Sequence, residues 1–125
     1  MAIIQLVARI MLSFIFIAAA PRHFTAEAIS HAAELGIPFA RIAVPLSGVL
    51  AIVGGASVLV GFHARCGALV LIAFLVPVTR GMHAFWGQSD PVAVHVQQAM
   101  FVKNVAILGG LLYVALYGAG KIALT

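Results

Sequence analysis

Four long apolar runs, at residues 3–20, 41–61, 66–86 and 97–117, leave this 125-residue chain few ways to fold. At about 1.5 Å per residue, a helix over the first run reaches roughly 27 Å, close to the ~30 Å hydrocarbon core of a bilayer. A membrane strand needs only about ten residues and alternates in hydropathy. These runs are longer and do not alternate, so the spacing predicts membrane helices. The charge content agrees. Charged residues make up 8% of the chain and hydrophobic ones 64%, whereas a soluble domain carries roughly 25% charged residues. The chain cannot cover a soluble surface.

The predicted fold is an all-α membrane protein. It is one domain over residues 1–125, an antiparallel bundle of four transmembrane helices with a short interfacial helix between helices 1 and 2. The connection at residues 21–40 carries the signals for that short helix. Thr25 can cap it, Gly36 suits its end, and Pro38 stops continuation. Glu27, His31 and Glu34 at i, i+4, i+7 make one polar stripe, with Ile29 and Ala33 on the other side, as on a helix lying at the membrane surface. In the second span Ala43, Ser47, Ala51 and Gly55 recur every four residues. Small residues let backbones approach where lipid gives no hydrophobic drive to association, so this helix is predicted to sit centrally. Ala18-Ala19-Ala20 resembles a signal-peptide cleavage site, but Arg9 interrupts the preceding apolar stretch, and the first run is read as a membrane helix. Seven cations against three acids are too few for nucleic-acid binding. The single Cys66 excludes an intrachain disulfide.

Antiparallel spans have a geometric consequence. One end of the bundle collects Arg22, His23, Arg41, Arg80, His83, Trp86, Lys103 and Asn104, together with Glu27, Glu34 and Asp90. The other end holds only Arg9, His63, Arg65 and Lys121. Counting Arg65, Lys121 and Arg9 against Arg22 and Arg41 places both termini in the cytoplasm by a narrow positive-inside margin. The localisation expected is a bacterial inner membrane, crossed several times.

The spans contain Arg9, Arg80 and Lys103 but no acid. Such a cation costs about 2.5–3.5 kcal/mol at mid-helix, so something must compensate it. Three means are open: snorkelling to the interface, an anion, or polar ligand atoms such as a quinone carbonyl. The candidate ligand-binding residues, for a quinone or a lipid headgroup, are Arg80, His83, Lys103 and Asn104. Arg80 and His83 share a helix face. Arg9, His23 and Trp86 are candidate supporting residues, although Trp86 at a span end also suits the aromatic belt. No metal site is predicted. His83 and His23 fall at one end, but haem-binding bundles present histidines well inside facing helices. No catalytic residue is predicted either, because Ser13, Ser47 and Thr79 lack a carboxylate–histidine partner set.

The same residues carry a family resemblance. It covers Arg9, then Glu34-Leu35-Gly36-Ile37-Pro38, Gly54-Gly55 with Gly61, Pro77, and His83-Ala84-Phe85-Trp86. Most specific is Phe101-Val102-Lys103-Asn104-Val105-Ala106-Ile107-Leu108-Gly109-Gly110. Together they resemble the DoxX family of small four-span membrane proteins. The chain departs from it at Ala51, where members often have Glu, and at Ala20-Pro21-Arg22-His23, where they often read Gly-x-x-Lys. The resemblance implies the four-helix fold and an association with membrane redox systems. The expected function is thus a non-catalytic accessory subunit of a membrane redox or energy-converting complex. The alternatives are a quinone- or lipid-binding redox-associated protein and a small transporter. The expected partners are membrane lipids and other membrane subunits or further copies of the chain.

Overall fold

A computed structural model of the chain describes residues 1–82, 86 and 89–124. Helix α1 (Ala2–Ala19) runs into a 3-10 turn (Ala20–Phe24). Helices α2 (Ala26–Glu34), α3 (Ala40–Val60), α4 (Ala64–Met82) and α5 (Pro91–Tyr117) follow. Four stretches, Ala2–Phe24, Ala40–Val60, Ala64–Met82 and Pro91–Tyr117, are long and apolar enough to cross a membrane. No strand occurs among the described residues. The protein is the predicted helical membrane bundle, with α2 as the short helix between its first two spans. Only 11–28% of the most apolar window of each span is buried inside the protein. The outward residues, Ile3, Phe14, Ile42, Val102 and Leu116 among them, are large and apolar, so the solvent that suits this surface is lipid.

Packing registers fix the helix directions. Along α1, Arg9 meets Val58, Ile17 meets Gly55 and His23 meets Gly48 of α3. Along α4, Gly67 meets Ser57 and Leu71 meets Gly54. Both pairs are therefore antiparallel. Thr79 of α4 likewise reaches Asn104 of α5. Helix α3 is central, as its small residues predict, and it uses two faces rather than one. Gly55 and Ser47 lie against α1 and the 3-10 turn, whereas Gly54 and Ala51 belong to the face turned toward α4 and the core. A methyl group on Gly54 would stand 2.8 Å from Leu71 Cγ and 3.1 Å from the Gly67 carbonyl oxygen. The core is thin: Phe16, Ala51, Val58, Ala68, Leu71, Phe74, Leu75 and Leu111, with Phe16 and Phe74 edge to face at 6.0 Å.

Helix α2 begins on Thr25, whose Oγ1 accepts from the Ala28 N–H at 3.2 Å. It ends in a Schellman motif, with Gly36 N–H donating to the Ala33 carbonyl and Ile37 N–H to the Ala32 carbonyl. Gly36 takes φ +83° there. Glu27, His31 and Glu34 face outward as expected; Ala32, rather than Ala33, is the buried side. The Ile37 side chain reaches Gly81, where an added methyl would meet its Cδ1 at 2.7 Å. The first connection is thereby docked on the end of α4.

Helix α5 starts at Pro91 rather than at the predicted residue 97. Asp90 caps it, its side chain accepting from Val92 N–H at 3.2 Å, and Pro91 occupies the first turn, where a missing N–H costs nothing. The Asp-Pro pair is a helix start. Lys103 and Asn104 consequently lie in the fourth turn of α5.

The other end of the bundle is closed by Arg9, which is 4% exposed. Its Nε donates to the Val58 carbonyl at 2.8 Å and its Nη2 to the Leu59 carbonyl at 3.1 Å. Its Nη1 donates to the Ala119 and Ile122 carbonyls, both at 2.7 Å. The last four carbonyls of a helix have no partner within it. In α3, Ser57 is met by the N–H groups of Gly61 and Phe62, Val58 and Leu59 by Arg9, and Val60 by Leu124 N–H. The guanidinium also sits at the negative end of the α3 dipole. The cation predicted to need compensation thus finds carbonyl oxygens instead of an anion or a ligand.

Arg9→Met leaves those buried carbonyls without donors. Hydrogen bonds to a charged group contribute about 1.5–3 kcal/mol each, so a loss of about 3 kcal/mol or more is expected in detergent unfolding followed by circular dichroism. Gly54→Ala is expected to cost about 1–3 kcal/mol through overpacking. Gly109→Ala, where a methyl meets nothing within 4 Å, should gain about 0.5–1 kcal/mol from lower backbone entropy in the unfolded chain. Equal effects for the two glycines would contradict the assigned register.

Candidate ligand site at the polar end

The predicted polar cluster divides when its helices are placed. Buried positions of α4 run Ala64, Ala68, Leu71 and Leu75, and that stripe continues to Val78 and Thr79. Arg80 falls off it and is exposed. Sharing a face with residue 83 therefore does not turn Arg80 into the bundle. His83 lies outside the described residues. Trp86 is 61% exposed, its ring edge-on to Phe101 at 5.8 Å. Arg9 is at the opposite end and fully engaged, so it does not support this site. Its burial also removes it from the surface-charge count that favoured cytoplasmic termini.

Asn104, Lys103 and His23 do come together. They line a cavity of about 130 Å³ between α1, α3, α4 and α5, with Phe16, Ala51 and Phe74 among its apolar walls. Asn104 is buried, and its Nδ2 donates to Thr79 Oγ1 at 2.9 Å. Lys103 is exposed and its Nζ lies 3.6 Å from Met100 Sδ, so its long stem stands at the mouth. His23 is held by the 3-10 turn, its ring 5.7 Å from that of Phe74.

The hydrogen bonds of His23 fix its tautomer. Its Nδ1 is 2.7 Å from Ser47 Oγ, and Ser47 gives its single hydroxyl proton to the Val44 carbonyl at 2.5 Å. Ser47 can therefore only accept from the ring, so Nδ1 carries the proton. In the neutral imidazole, Nε2 is then the acceptor. The cavity thus combines a cationic donor, an amide and a ring nitrogen lone pair. Sequence reasoning missed Ser47 and Thr79 as the residues that orient His23 and Asn104. Their signal was positional: Ser47 lies in the small-residue ladder, and Thr79 continues the buried stripe of α4. Among the described residues, no three His, Cys, Asp or Glu side chains group as metal ligands would.

Fold and site together define a small four-span membrane protein with a polar-lined interhelical cavity. The chain matches the model of the SURF4 family over residues 1–125 and belongs to that family. It is 32% identical over 117 residues to the inner membrane protein YqjF of Escherichia coli (strain K12), which covers 92% of this chain and 84% of that protein. No solved structure matches. The DoxX resemblance is corrected by this result. Three of the residues that carried it have packing roles: Gly54 lets α3 and α4 touch, Gly61 ends α3 at φ +75°, and Arg9 caps it.

The Thr79–Asn104 bond gives a direct test of the placement. In a double-mutant cycle with Thr79→Val and Asn104→Leu, measured by unfolding in detergent, the coupling energy should be about 0.6 kcal/mol and at most about 1.7 kcal/mol, the range for interhelical bonds in membranes. Zero coupling would separate the two side chains.

Proposed function

We infer that this protein is a non-catalytic membrane subunit that holds the oxygen-bearing ring of a membrane-dissolved quinone-type molecule, alongside partner membrane proteins. The observation that carries the reading is the convergence of Lys103, Asn104 and His23 on one cavity walled by Phe16 and Phe74. A quinone carbonyl accepts from the lysine ammonium and the amide. A quinol hydroxyl donates to His23 Nε2. Flat aromatic walls suit a flat ring. Among the described residues, the cavity lining offers hydrogen-bonding side chains and aromatic walls, which suits binding. YqjF is named as an inner membrane protein, and the same location is the reading for this chain.

The test is binding of decylubiquinone to the detergent-purified protein. Lys103→Ala and His23→Ala should each weaken it by roughly ten-fold or more, the effect of losing one charged or well-placed hydrogen bond. Arg80→Ala should leave it unchanged. Wild-type affinity in both cavity variants would overturn the reading. Purification from membranes in mild detergent tests the subunit role, and a protein that emerges with no companion chain would contradict it.

A further inference from the structure

The larger cavity lies at the other end of the molecule. Helices α1 and α5 scarcely touch, and between them runs a groove of about 460 Å³ lined by Ala8, Leu12, Gly110, Tyr113, Val114 and Gly118, among others. That volume falls in the ~300–1,000 Å³ range of ligand sites. From Gly110 to Gly118 it follows α5 for about 12 Å at 1.5 Å per residue. The lining is mostly apolar, with Gln5 and Arg9 as its polar members.

Among the described residues, the side-chain charge around its outer end is of one sign. Arg65 reaches the rim, its Nε 3.2 Å from where a Gly118 Cβ would stand. Lys121 follows the rim residue Gly120, and both cations are exposed. The three acidic side chains of the chain, Glu27, Glu34 and Asp90, all sit at the opposite end, on α2 and at the start of α5. Arg9, which also lines the groove, is bound by carbonyls, which leave its charge uncancelled. An apolar slot that ends at two exposed cations matches a molecule with an acyl tail and an anionic head.

We propose that the α1–α5 groove is a binding site for an anionic phospholipid, with one acyl chain against Ala8, Leu12, Gly110 and Val114 and the phosphate between Arg65 and Lys121. The site is separate from the polar-end cavity and does not depend on its occupant.

The experiment is native mass spectrometry of the full-length protein. It is released from micelles supplemented with phosphatidylglycerol or with phosphatidylcholine of the same acyl chains. Wild-type protein should retain phosphatidylglycerol in preference to phosphatidylcholine. Arg65→Gln and Lys121→Gln should each reduce that retention by roughly five-fold, the worth of one cation near an anionic headgroup. Ala8→Phe, which fills the groove from its lipid-exposed side, should abolish the preference, and Arg22→Gln with Arg41→Gln at the other end should leave it intact. Equal retention of the two lipids overturns the proposal, as does indifference to the Arg65 and Lys121 changes. A dimer abolished by Ala8→Phe would show a second copy in the groove and overturns it as well. The two charge variants carry the test if Ala8→Phe does not fold.

Discussion

A cation in lipid and a helix end without partners are each costly alone, and this fold sets them against each other. Arg9 enters the bundle from α1 and finds four carbonyl oxygens, two at the end of α3 and two in the segment after α5. Because those carbonyls come from two separate parts of the chain and Arg9 from a third, one side chain fixes how the three parts meet. The same contact explains Gly61. It ends α3 with φ +75°, and a methyl there would stand 2.5 Å from Ala123 Cβ and 3.2 Å from the Arg9 guanidinium carbon. Ser13, one turn from Arg9, returns its hydroxyl to the Arg9 carbonyl at 2.8 Å and to the Ile10 carbonyl at 3.2 Å.

With that end closed, the two ends of the bundle differ in kind. At the Arg9 end the buried guanidinium is satisfied by backbone carbonyls, and a mostly apolar groove lies beside it. At the other end, side chains hold one another: Ser47 orients His23, and Thr79 orients Asn104. Both oriented side chains line the cavity there. Small residues make this arrangement possible. Gly48 lets the 3-10 turn lie on α3, since a methyl there would meet His23 Cβ at 2.7 Å, and Gly81 admits Ile37. His23 reaches the interior because its backbone is pressed against α3.

The spans, the central place of α3 and the cap of α2 were legible in the sequence because each rests on local spacing. The need to compensate Arg9 was legible too, but its partners were not. They are backbone atoms some 50 to 110 residues away, and a carbonyl leaves no mark in the residue pattern. Arg80 was misplaced because the pair 80 and 83 fixes a shared face without fixing which way that face turns. The buried series through Leu71 and Leu75 held the phase that decides it. The start of the last span was placed at residue 97, although Asp90-Pro91 is a pair that opens a helix. The family was misread for a related reason. Glycines and cations placed by packing recur wherever four helices stand together, so their order reports architecture.

The most direct measurement of the central interaction is disulfide formation between Gln5→Cys and Gly120→Cys in isolated membranes, with Cys66 changed to Ser. A Gly120 Cβ would lie 3.3 Å from Gln5 Cβ, close to the span of a disulfide. With Arg9 in place the crosslink should form readily, and with Arg9→Met it should form much more slowly, because the segment after α5 is released. A crosslink that forms equally fast in both backgrounds, or in neither, would contradict the role assigned to Arg9.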